Sequence, residues 1–169
     1  MAQERSEFGE FYATNRDACL RAVTATVGDR RQAEDLVAEA FARAWGSWTK
    51  VSRHPAPRAW VVRTALNTRV SWWRKRRQEV ALADYDAAAP EDAGEALDQT
   101  VIAALRRLPT RQREVVVLRV LLDLDTETTA RELGIAPGTV MAHLSRAVTA
   151  LRRDLSASNA HHACAEASQ

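Results

Sequence analysis

The chain has 169 residues, 46% of them hydrophobic and only 6% aromatic, which suffices for one ordinary domain or two small helical ones and excludes disorder throughout. The net charge of +2 conceals two blocks: residues 53–79 hold eight Arg or Lys residues and one acid, whereas residues 80–100 hold six acids and no base. These blocks indicate an anion-binding segment followed by an acidic connector. No apolar stretch is long enough for a membrane span or a signal peptide, and the two cysteines, Cys19 and Cys164, lack metal-ligand spacing. We therefore expect a cytoplasmic protein.

Apolar residues recur at helical spacing through the first third of the chain. They predict a first helix over residues 4–27, and Gly28 is a typical terminator after it. Asp29 then caps a second helix, because Gln32 follows three residues later as in a capping box.

A third helix is predicted from Pro57 to about Arg77, since proline suits the first turn of a helix. Together the three helices predict a helical bundle over residues 1–77. Its expected core consists of the apolar residues on one side of each helix: Phe8, Phe11, Tyr12, Cys19, Val23, Ala33, Val37, Phe41, Ala44, Trp45, Trp48, Val61, Val62, Ala65, Leu66, Trp72 and Trp73.

Beyond the first bundle, residues 78–96 are acidic and rich in alanine, and they predict a flexible linker. Helical spacing resumes over residues 97–155 and predicts a second bundle. Residues 156–169 predict a disordered tail. The expected fold is all-α, with two small helical bundles joined like beads on a string.

Within the second bundle, Pro109 opens a helix that runs through Leu122. A short helix over residues 126–133, a turn at residues 134–136 and a last helix over residues 137–155 then have the spacing of a helix-turn-helix. On the last helix, one side is apolar and must pack inward: Val140, Leu144, Ala147, Val148 and Leu151.

The other side of the last helix is mostly polar and can reach base edges and phosphates in a major groove. Arg146 is the best candidate for a guanine contact, since arginine pairs with guanine in two hydrogen bonds. The alternative is a helical hairpin that binds no ligand. The candidate contacts with duplex DNA are Thr139, Ala142, His143, Ser145, Arg146 and Thr149.

The second helix of the first bundle has a distinctive outer side. Asp35 and Glu39 lie there beside the small residues Ala38 and Ala42. Two acids framed by alanines would let a partner helix approach closely and meet negative charge. The alternative is an ordinary exposed face.

The third helix presents an aromatic ring, an amide, a hydroxyl and several cations on its outer side. Such a face can grip the backbone of a single strand and stack on unpaired bases. The alternative is a basic helix end that contacts only phosphate, with Trp60 in the core. The candidate strand contacts are Trp60, Arg63, Asn67, Ser71, Arg74 and Lys75.

Three segments in this order resemble the extracytoplasmic-function (ECF) sigma factors, which consist of the helical regions 2 and 4. QAEDLVAEAFARAW resembles the polymerase-docking segment, PRAWVVRTALNTRVSWWRKRR the segment that melts the −10 element, and LDTETTARELGIAPGTVMAHLSRAVTALR the helix-turn-helix that reads the −35 element. The resemblance covers about residues 6–77 and 97–155. The SWWR run and the TETTA start of the helix-turn-helix are similar to the SigE-type actinobacterial subgroup.

The resemblance implies a factor that binds core RNA polymerase at the beta-prime clamp helices and the beta flap. It also implies promoter DNA as a partner, single-stranded at −10 and duplex at −35, an anti-sigma factor as a further partner, and no membrane. By the same resemblance, Asp35 and Glu39 face polymerase. The implied −10 contacts are Trp60, Asn67, Ser71 and Arg74, and the implied −35 contacts are Ser145 and Arg146.

Several residues depart from the family pattern. Ala38 stands where many members carry Gln, and Ser71 where many carry Asp. Met141, Ala142 and His143 replace a frequent basic–Ser–basic run, and losing two phosphate-binding cations should weaken −35 binding.

Two other functions remain open from the residues alone: a dimeric helix-turn-helix regulator with an N-terminal sensing domain, and a degenerate sigma factor that sequesters a partner. No Gly-rich phosphate loop, HExxH motif or nucleophile–His arrangement is present. We therefore expect no enzyme, no catalytic residue and no cofactor. We also expect no metal site, although His161, His162 and Cys164 share the tail.

Overall fold

The computed structural model describes residues 1–79 and 99–166, with side chains described for residues 1–71 and 99–157. Every regular element in these ranges is helical, which confirms the all-α fold. No helix in the same ranges is long and apolar enough to cross a membrane. The first bundle consists of α1 (Ala2–Val27), α2 (Arg30–Gly46), α3 (Trp48–Val51) and α4 (Pro57–Glu79); the second bundle consists of α5 (Gln99–Arg107), α6 (Thr110–Val116), α7 (Thr126–Leu133) and α8 (Pro137–Glu166).

The caps between α1 and α2 lie where the sequence predicts them. Gly28 adopts a left-handed conformation with φ of 81°, and its N–H donates to the carbonyl of Thr24 at 2.7 Å. The Asp29 side chain accepts a hydrogen bond from the N–H of Gln32 at 3.1 Å. These hydrogen bonds fix the turn between α1 and α2. They also give an acceptor to one N–H group in the first turn of α2 that has none within the helix.

The core of the first bundle is aromatic. The ring centroids of Phe8 and Phe11 each lie 5.2 Å from that of Trp48, and both phenylalanines also contact the ring of Phe41. Trp45 was expected in this core but is 42% exposed, and the expectation was wrong. The reason is that α2 ends at Gly46, so the chain turns into the short helix α3 and buries Trp48 instead.

Tyr12 is also more exposed than expected, at 39%, although its ring still meets the edge of Phe41 at 4.9 Å. In α4, Val61, Val62 and Ala65 are buried as predicted. The side chains of Trp72 and Trp73 lie outside the described residues.

The helix-turn-helix forms as predicted, with α7 over Thr126–Leu133 and α8 starting at Pro137. Gly134 ends α7 in a left-handed conformation with φ of 64°. Asp125 caps α7: its carboxylate accepts from the N–H of Thr128 at 2.7 Å and from its hydroxyl at 3.0 Å. These bonds hold the pKa of Asp125 below its ordinary value, because the backbone N–H first and the hydroxyl second favour the charged form.

The helix predicted from Pro109 through Leu122 has an irregularity that the sequence does not announce. α6 ends at Val116 and continues as a π-helical segment, Val117–Leu121. The π segment turns the apolar residues Val117 and Leu118 inward, where they are 2% and 3% exposed.

α8 extends to Glu166 and does not end near Leu155. The prediction of a disordered tail from residue 156 was therefore wrong as far as Glu166. Alanine has the highest helix propensity, and no Gly or Pro interrupts the segment SASNAHHACAE, so the helix continues. α4 continues through Gln78 and Glu79, the first two residues of the predicted linker, which are therefore helical. The other linker residues, 80–96, and residues 167–169 lie outside the described residues.

The two bundles pack against each other, whereas we expected two bundles joined only by a flexible linker. Val117, Leu118, Leu122 and Leu124 of the second bundle belong to the same buried cluster as the core of the first. Ala25 of α1 in turn packs in a cluster of the second bundle. Burial of apolar surface drives this contact, because these four residues would otherwise face water.

Candidate nucleic-acid and partner interfaces

The outer face of α2 is open to solvent. Asp35, Ala38 and Ala42 are exposed and Glu39 is half-buried, while the opposite side of the helix is buried in the core. The Glu39 carboxylate accepts from Arg43 Nε at 2.8 Å, and both side chains are about half exposed (42% and 52%). Exposed ion pairs of this kind contribute little to folding stability, so the Glu39 carboxylate can exchange Arg43 for a group of a binding partner.

A shallow cavity of ≈ 330 Å³ runs between α1 and α2 beside this face. Its walls combine apolar side chains with carboxylates, which fits the approach of a helix that carries both apolar and basic residues. The lining residues are Tyr12, Arg16, Leu20, Glu34, Asp35, Val37, Ala38 and Phe41.

The outer face of α4 also lies where helical phase predicts it. Arg63, Asn67 and Ser71 are exposed. Trp60 is half-buried and packs against the core, which agrees in part with the alternative prediction that this residue belongs to the core. The side chains of Arg74 and Lys75 lie outside the described residues, and their role stays a prediction.

Arg63 is engaged by the second bundle. Its Nη1 donates to Oε2 of Glu132 in α7 at 3.1 Å, and Nε2 of His54 lies 3.6 Å from the other carboxylate oxygen. Sequence reasoning missed both His54 and Glu132. A signal existed: Glu132 shares a side of α7 with Thr128 and Thr129, which are buried, so an acid occupies the inner face of that helix.

Beside this contact, α4 and α6 line two neighbouring cavities of ≈ 250 and ≈ 230 Å³, both of which are lined by Asn67 and Glu114. Arg69 and Arg113 lie in the second cavity. Burial first and neighbouring arginines second lower the pKa of both guanidinium groups. Arg113 also donates to the carbonyl of Thr26 in α1 at 3.4 Å. The junction of the bundles therefore brings Arg69, Arg106 and Arg113 together beside Glu114, which the sequence pattern did not reveal.

On α8, Val140 and Ala147 are buried, and Leu144, Val148 and Leu151 are half-buried, as predicted. The outer side of the helix bears the candidate DNA contacts. Thr139, Ser145, Arg146 and Thr149 are exposed, whereas Ala142 and His143 are half-buried.

His143 and Thr149 are less available than their phase suggests. Nδ1 of His143 is buried without a hydrogen-bond partner in the described part of the chain. The Thr149 hydroxyl donates to the carbonyl of Ser145 at 3.0 Å. Ser145 and Arg146 therefore remain the most accessible polar groups for base contacts.

The described residues contain no group of three or more His, Cys, Asp or Glu side chains that could hold a metal ion. Cys19 is a buried free thiol, 0% exposed, with Sγ 4.0 Å from the carbonyl oxygen of Arg58. Burial raises the pKa of Cys19 to about 12.

Comparison with known proteins identifies the two bundles separately. The family model for sigma-70 region 2 matches residues 11–79, and the model for sigma-70 region 4 matches residues 98–151. The first match covers most of the first bundle, and the second covers the helices from α5 to the middle of α8.

Curated relatives agree. The chain is 39% identical over 159 residues to the RNA polymerase sigma-E factor of Streptomyces antibioticus, a match that covers 92% of this chain and 88% of the relative. It is 35% identical over 136 residues to the ECF RNA polymerase sigma factor SigL of Mycobacterium tuberculosis, covering 76% and 77% of the two chains.

A solved structure shares the fold. The sigma factor RpoE from Bartonella quintana, crystallised in complex with the anti-sigma factor NepR, superimposes with a TM-score of 0.71 at 26% identity. The match covers 89% of this chain and 97% of that one. The chain therefore belongs to the ECF RNA polymerase sigma factors, of the type that includes the sigma-E factors of actinobacteria.

Proposed function

We propose that this ECF sigma factor, which acts in the initiation of transcription, docks on core RNA polymerase through the outer face of α2. It then captures the unpaired −10 strand with α4 and reads the −35 duplex with the start of α8. The observation that carries this proposal is that α2 and α4 share one core and expose their polar faces, so a factor held by α2 presents α4 in a fixed direction.

The polymerase face needs negative charge and close approach. Asp35 and Glu39 supply the carboxylates, and Ala38 and Ala42 leave room for the beta-prime clamp helices. The neighbouring cavity of ≈ 330 Å³ offers apolar walls to the same partner. The beta flap is the proposed partner of the second bundle.

The −10 face needs hydrogen-bond donors, cations and an aromatic surface. Asn67 and Ser71 supply amide and hydroxyl groups, and Arg63 supplies a cation that can bind phosphate. Arg74 and Lys75 extend the same phase of α4 and complete the proposed set.

The −35 face has fewer side chains that can contact DNA than the family pattern has. Ser145 and Arg146 are the proposed base contacts, and Thr139 at the start of the helix is a proposed contact to the DNA backbone. Because Met141 carries no charge and His143 is half-buried, we expect a −35 contribution weaker than that of members with basic residues at these two positions.

We also propose that the chain works in the cytoplasm, where its polymerase partner is found, and that it catalyses no reaction of its own. An anti-sigma factor is a further proposed partner. Support comes from the Bartonella quintana sigma factor, which was solved with its anti-sigma factor NepR bound.

The test is assembly of the full chain with actinobacterial core polymerase, followed by transcription from a library of genomic promoter fragments. A stable complex that initiates from a restricted set of sites supports the proposal and reveals the promoter. A complex that initiates nowhere would indicate a degenerate sigma factor. Absence of a complex, together with specific duplex binding by the chain alone, would favour a conventional regulator.

Variants then assign the faces. Asn67→Ala and Arg146→Ala should each reduce promoter-specific initiation while core binding persists, since neither residue lies on the polymerase face. Arg152→Ala is the matched control for Arg146, because it removes the same charge from an exposed position further along α8. Loss of core binding in either test variant would overturn this division of labour.

For the polymerase face, Glu39→Lys should weaken core binding at least tenfold by reversing a contact charge. Glu10→Lys, on the exposed side of α1, is the control for the same charge change. Equal loss of binding in both variants would point to general electrostatics and not to a docking face.

A further inference from the structure

Three arginines from three helices come together at the junction of the bundles. Arg69 belongs to α4, Arg106 to α5 and Arg113 to α6. Burial first, and the charges of Arg106 and Arg113 second, lower the pKa of Arg69. Burial and then the charge of Arg106 lower the pKa of Arg113 in the same way, although Glu114 opposes this shift. The three guanidinium groups therefore repel one another, and two of them are half-buried.

None of these three arginines has a carboxylate partner among the residues with described side chains. The ion pairs at the junction join Arg63 to Glu132 and Arg111 to Glu114, which leaves the cluster without an acid of its own. A half-buried charge is costly when no opposite charge or hydrogen-bond partner stabilises it. An anion that reached the cluster would therefore lower its electrostatic energy.

The fold holds two of the arginines in place. Nη1 of Arg113 donates to the carbonyl of Thr26 at 3.4 Å, and Nη2 donates to the carbonyl of Leu108 at 3.5 Å. Since a guanidinium has five N–H groups, Arg113 retains donors for a ligand. The Arg106 side chain lies against Gly28, where an added Cβ would be 2.7 Å from Cδ and 2.9 Å from Nη1. Both side chains are therefore positioned before any ligand binds, which lowers the entropy cost of binding.

Arg69 and Arg113 line the cavity of ≈ 230 Å³ between α4 and α6. Asn67 and Thr110 add an amide and a hydroxyl group to its wall. Glu114 also lines the cavity, but its carboxylate accepts from another arginine at 2.9 Å. Sites for drug-sized ligands start at about 300 Å³, so this cavity suits a small ion.

We propose that this junction binds a small phosphate-class oxyanion, such as inorganic phosphate or diphosphate, in the cavity between α4 and α6. Arg69 and Arg113 bind the oxygens directly, and Arg106 adds a third positive charge beside them. A planar guanidinium offers paired N–H donors that match the oxygens of a phosphate group. Because three cations repel one another there, an anion with several charges is favoured over chloride. This site goes beyond the proposed function and depends on no contact with promoter DNA.

The test measures binding of sodium diphosphate to the full chain by isothermal titration calorimetry, at constant ionic strength and without divalent cations. Two neighbours on α5 give a matched pair of variants. Arg106→Gln removes a charge of the cluster, whereas Arg107→Gln removes an exposed charge that does not shift the pKa of Arg69 or Arg113. Arg69→Gln changes the wall of the cavity itself.

We expect one diphosphate to bind per chain, with equal affinity for the wild type and Arg107→Gln. Arg69→Gln and Arg106→Gln should each bind roughly tenfold more weakly, because each loses one charge-assisted interaction. Glu114→Gln should bind about threefold more tightly, since it removes the acid that repels the ligand.

Thermal unfolding provides a second measurement. A ligand that binds only the folded chain raises the unfolding midpoint by mass action. Diphosphate should therefore stabilise the wild type and Arg107→Gln more than Arg106→Gln. Without diphosphate, Arg106→Gln should be at least as stable as the wild type, because it removes a repelling charge. Arg106 is exposed, so this variant keeps the test valid if Arg69→Gln does not unfold cooperatively.

Inorganic phosphate and adenosine triphosphate distinguish the sources of the phosphate group. Similar affinities for diphosphate and adenosine triphosphate would support a site that accepts the terminal phosphates of a nucleotide. Binding of the inorganic anions alone would support a site closed to the nucleoside. Binding of adenosine triphosphate without binding of diphosphate would overturn the proposal, because the nucleoside would then be the group recognised.

Three further results would overturn the proposal. The first is a wild-type chain that shows no saturable binding of diphosphate. The second is an equal loss of affinity in Arg106→Gln and Arg107→Gln, because that loss would reflect net charge alone. The third is unchanged affinity in both Arg69→Gln and Arg106→Gln, which would place the bound anion elsewhere on the chain.

Discussion

The two bundles have different kinds of core. The first packs aromatic rings, including Phe41 and Trp48, around aliphatic residues, whereas residues 99–157 contain no Phe, Tyr or Trp at all. The second bundle has two small clusters of its own, one of which needs Ala25 from α1 to be complete. Its largest fully buried side chain, Leu122, packs in the cluster of the first bundle.

This difference indicates that the first bundle can be stable by itself, while the second depends on contact with the first for part of its apolar burial. The contact between the bundles and the stability of the helix-turn-helix are therefore coupled.

The largest effect expected from this comparison is that of Leu122→Ala. Deleting a fully buried leucine costs about 3 kcal/mol, from lost burial and a residual cavity. Hydrogen exchange should show lost protection mainly in α5 to α8, because the first bundle retains its aromatic core. Leu36→Ala, also fully buried but within the first bundle, is the control and should expose both bundles to exchange. An identical exchange pattern in the two variants would break the distinction between the cores.

An intermediate effect is expected for Gly28→Ala, at the point where the first bundle meets Arg106. The residue has φ of 81°, and an added Cβ would lie 2.7 Å from Cδ of Arg106. A left-handed alanine costs about 1–2 kcal/mol, and the flexible Arg106 side chain must also move. Chemical denaturation measures the loss. Gly9→Ala, where an added Cβ meets nothing within 4 Å, should be neutral or slightly stabilising.

The smallest expected effect is on the stability of the fold in acid, through the Asp125 side chain that caps α7. The pKa of Asp125 is lower in the folded chain than its ordinary value of 3.8, so its contribution to stability is full above that value. The contribution is lost as the pH falls through the depressed pKa. Thermal unfolding between pH 5 and pH 2.5 should therefore show a steeper loss for the wild type than for Asp125→Asn. Parallel pH profiles would mean that the cap is not formed in solution.

Much of this fold follows from local chemistry that sequence patterns reveal. Asp29, Gly28 and Gly134 define helix ends, and the 3.6-residue period separates the inner from the outer side of α4 and α8. The exposed positions of Asn67, Ser71 and Arg146 follow from that period alone. Their roles in binding still await the assays described above.

What the sequence did not reveal comes from long-range packing. Trp45 and Trp48 have equal hydrophobicity, and only the break at Gly46 decides which one is buried. The contact of Glu132 with Arg63 joins residues 69 positions apart. The helical period places Glu132 on the inner side of α7, but it does not reveal the partner on the other bundle. The π-helical turn at Val117–Leu121 was also not predicted, because the apolar residues of this segment carry no sequence signal for it.

The buried thiol of Cys19 has a practical consequence. With its pKa raised to about 12, the thiol stays protonated at pH 7, whereas alkylating agents and oxidants attack the thiolate. The residue belongs to the cluster that both bundles share. In a Cys164→Ser background, Cys19 is the only thiol of the chain. Its alkylation rate therefore measures how often that cluster opens to solvent, without any attached dye.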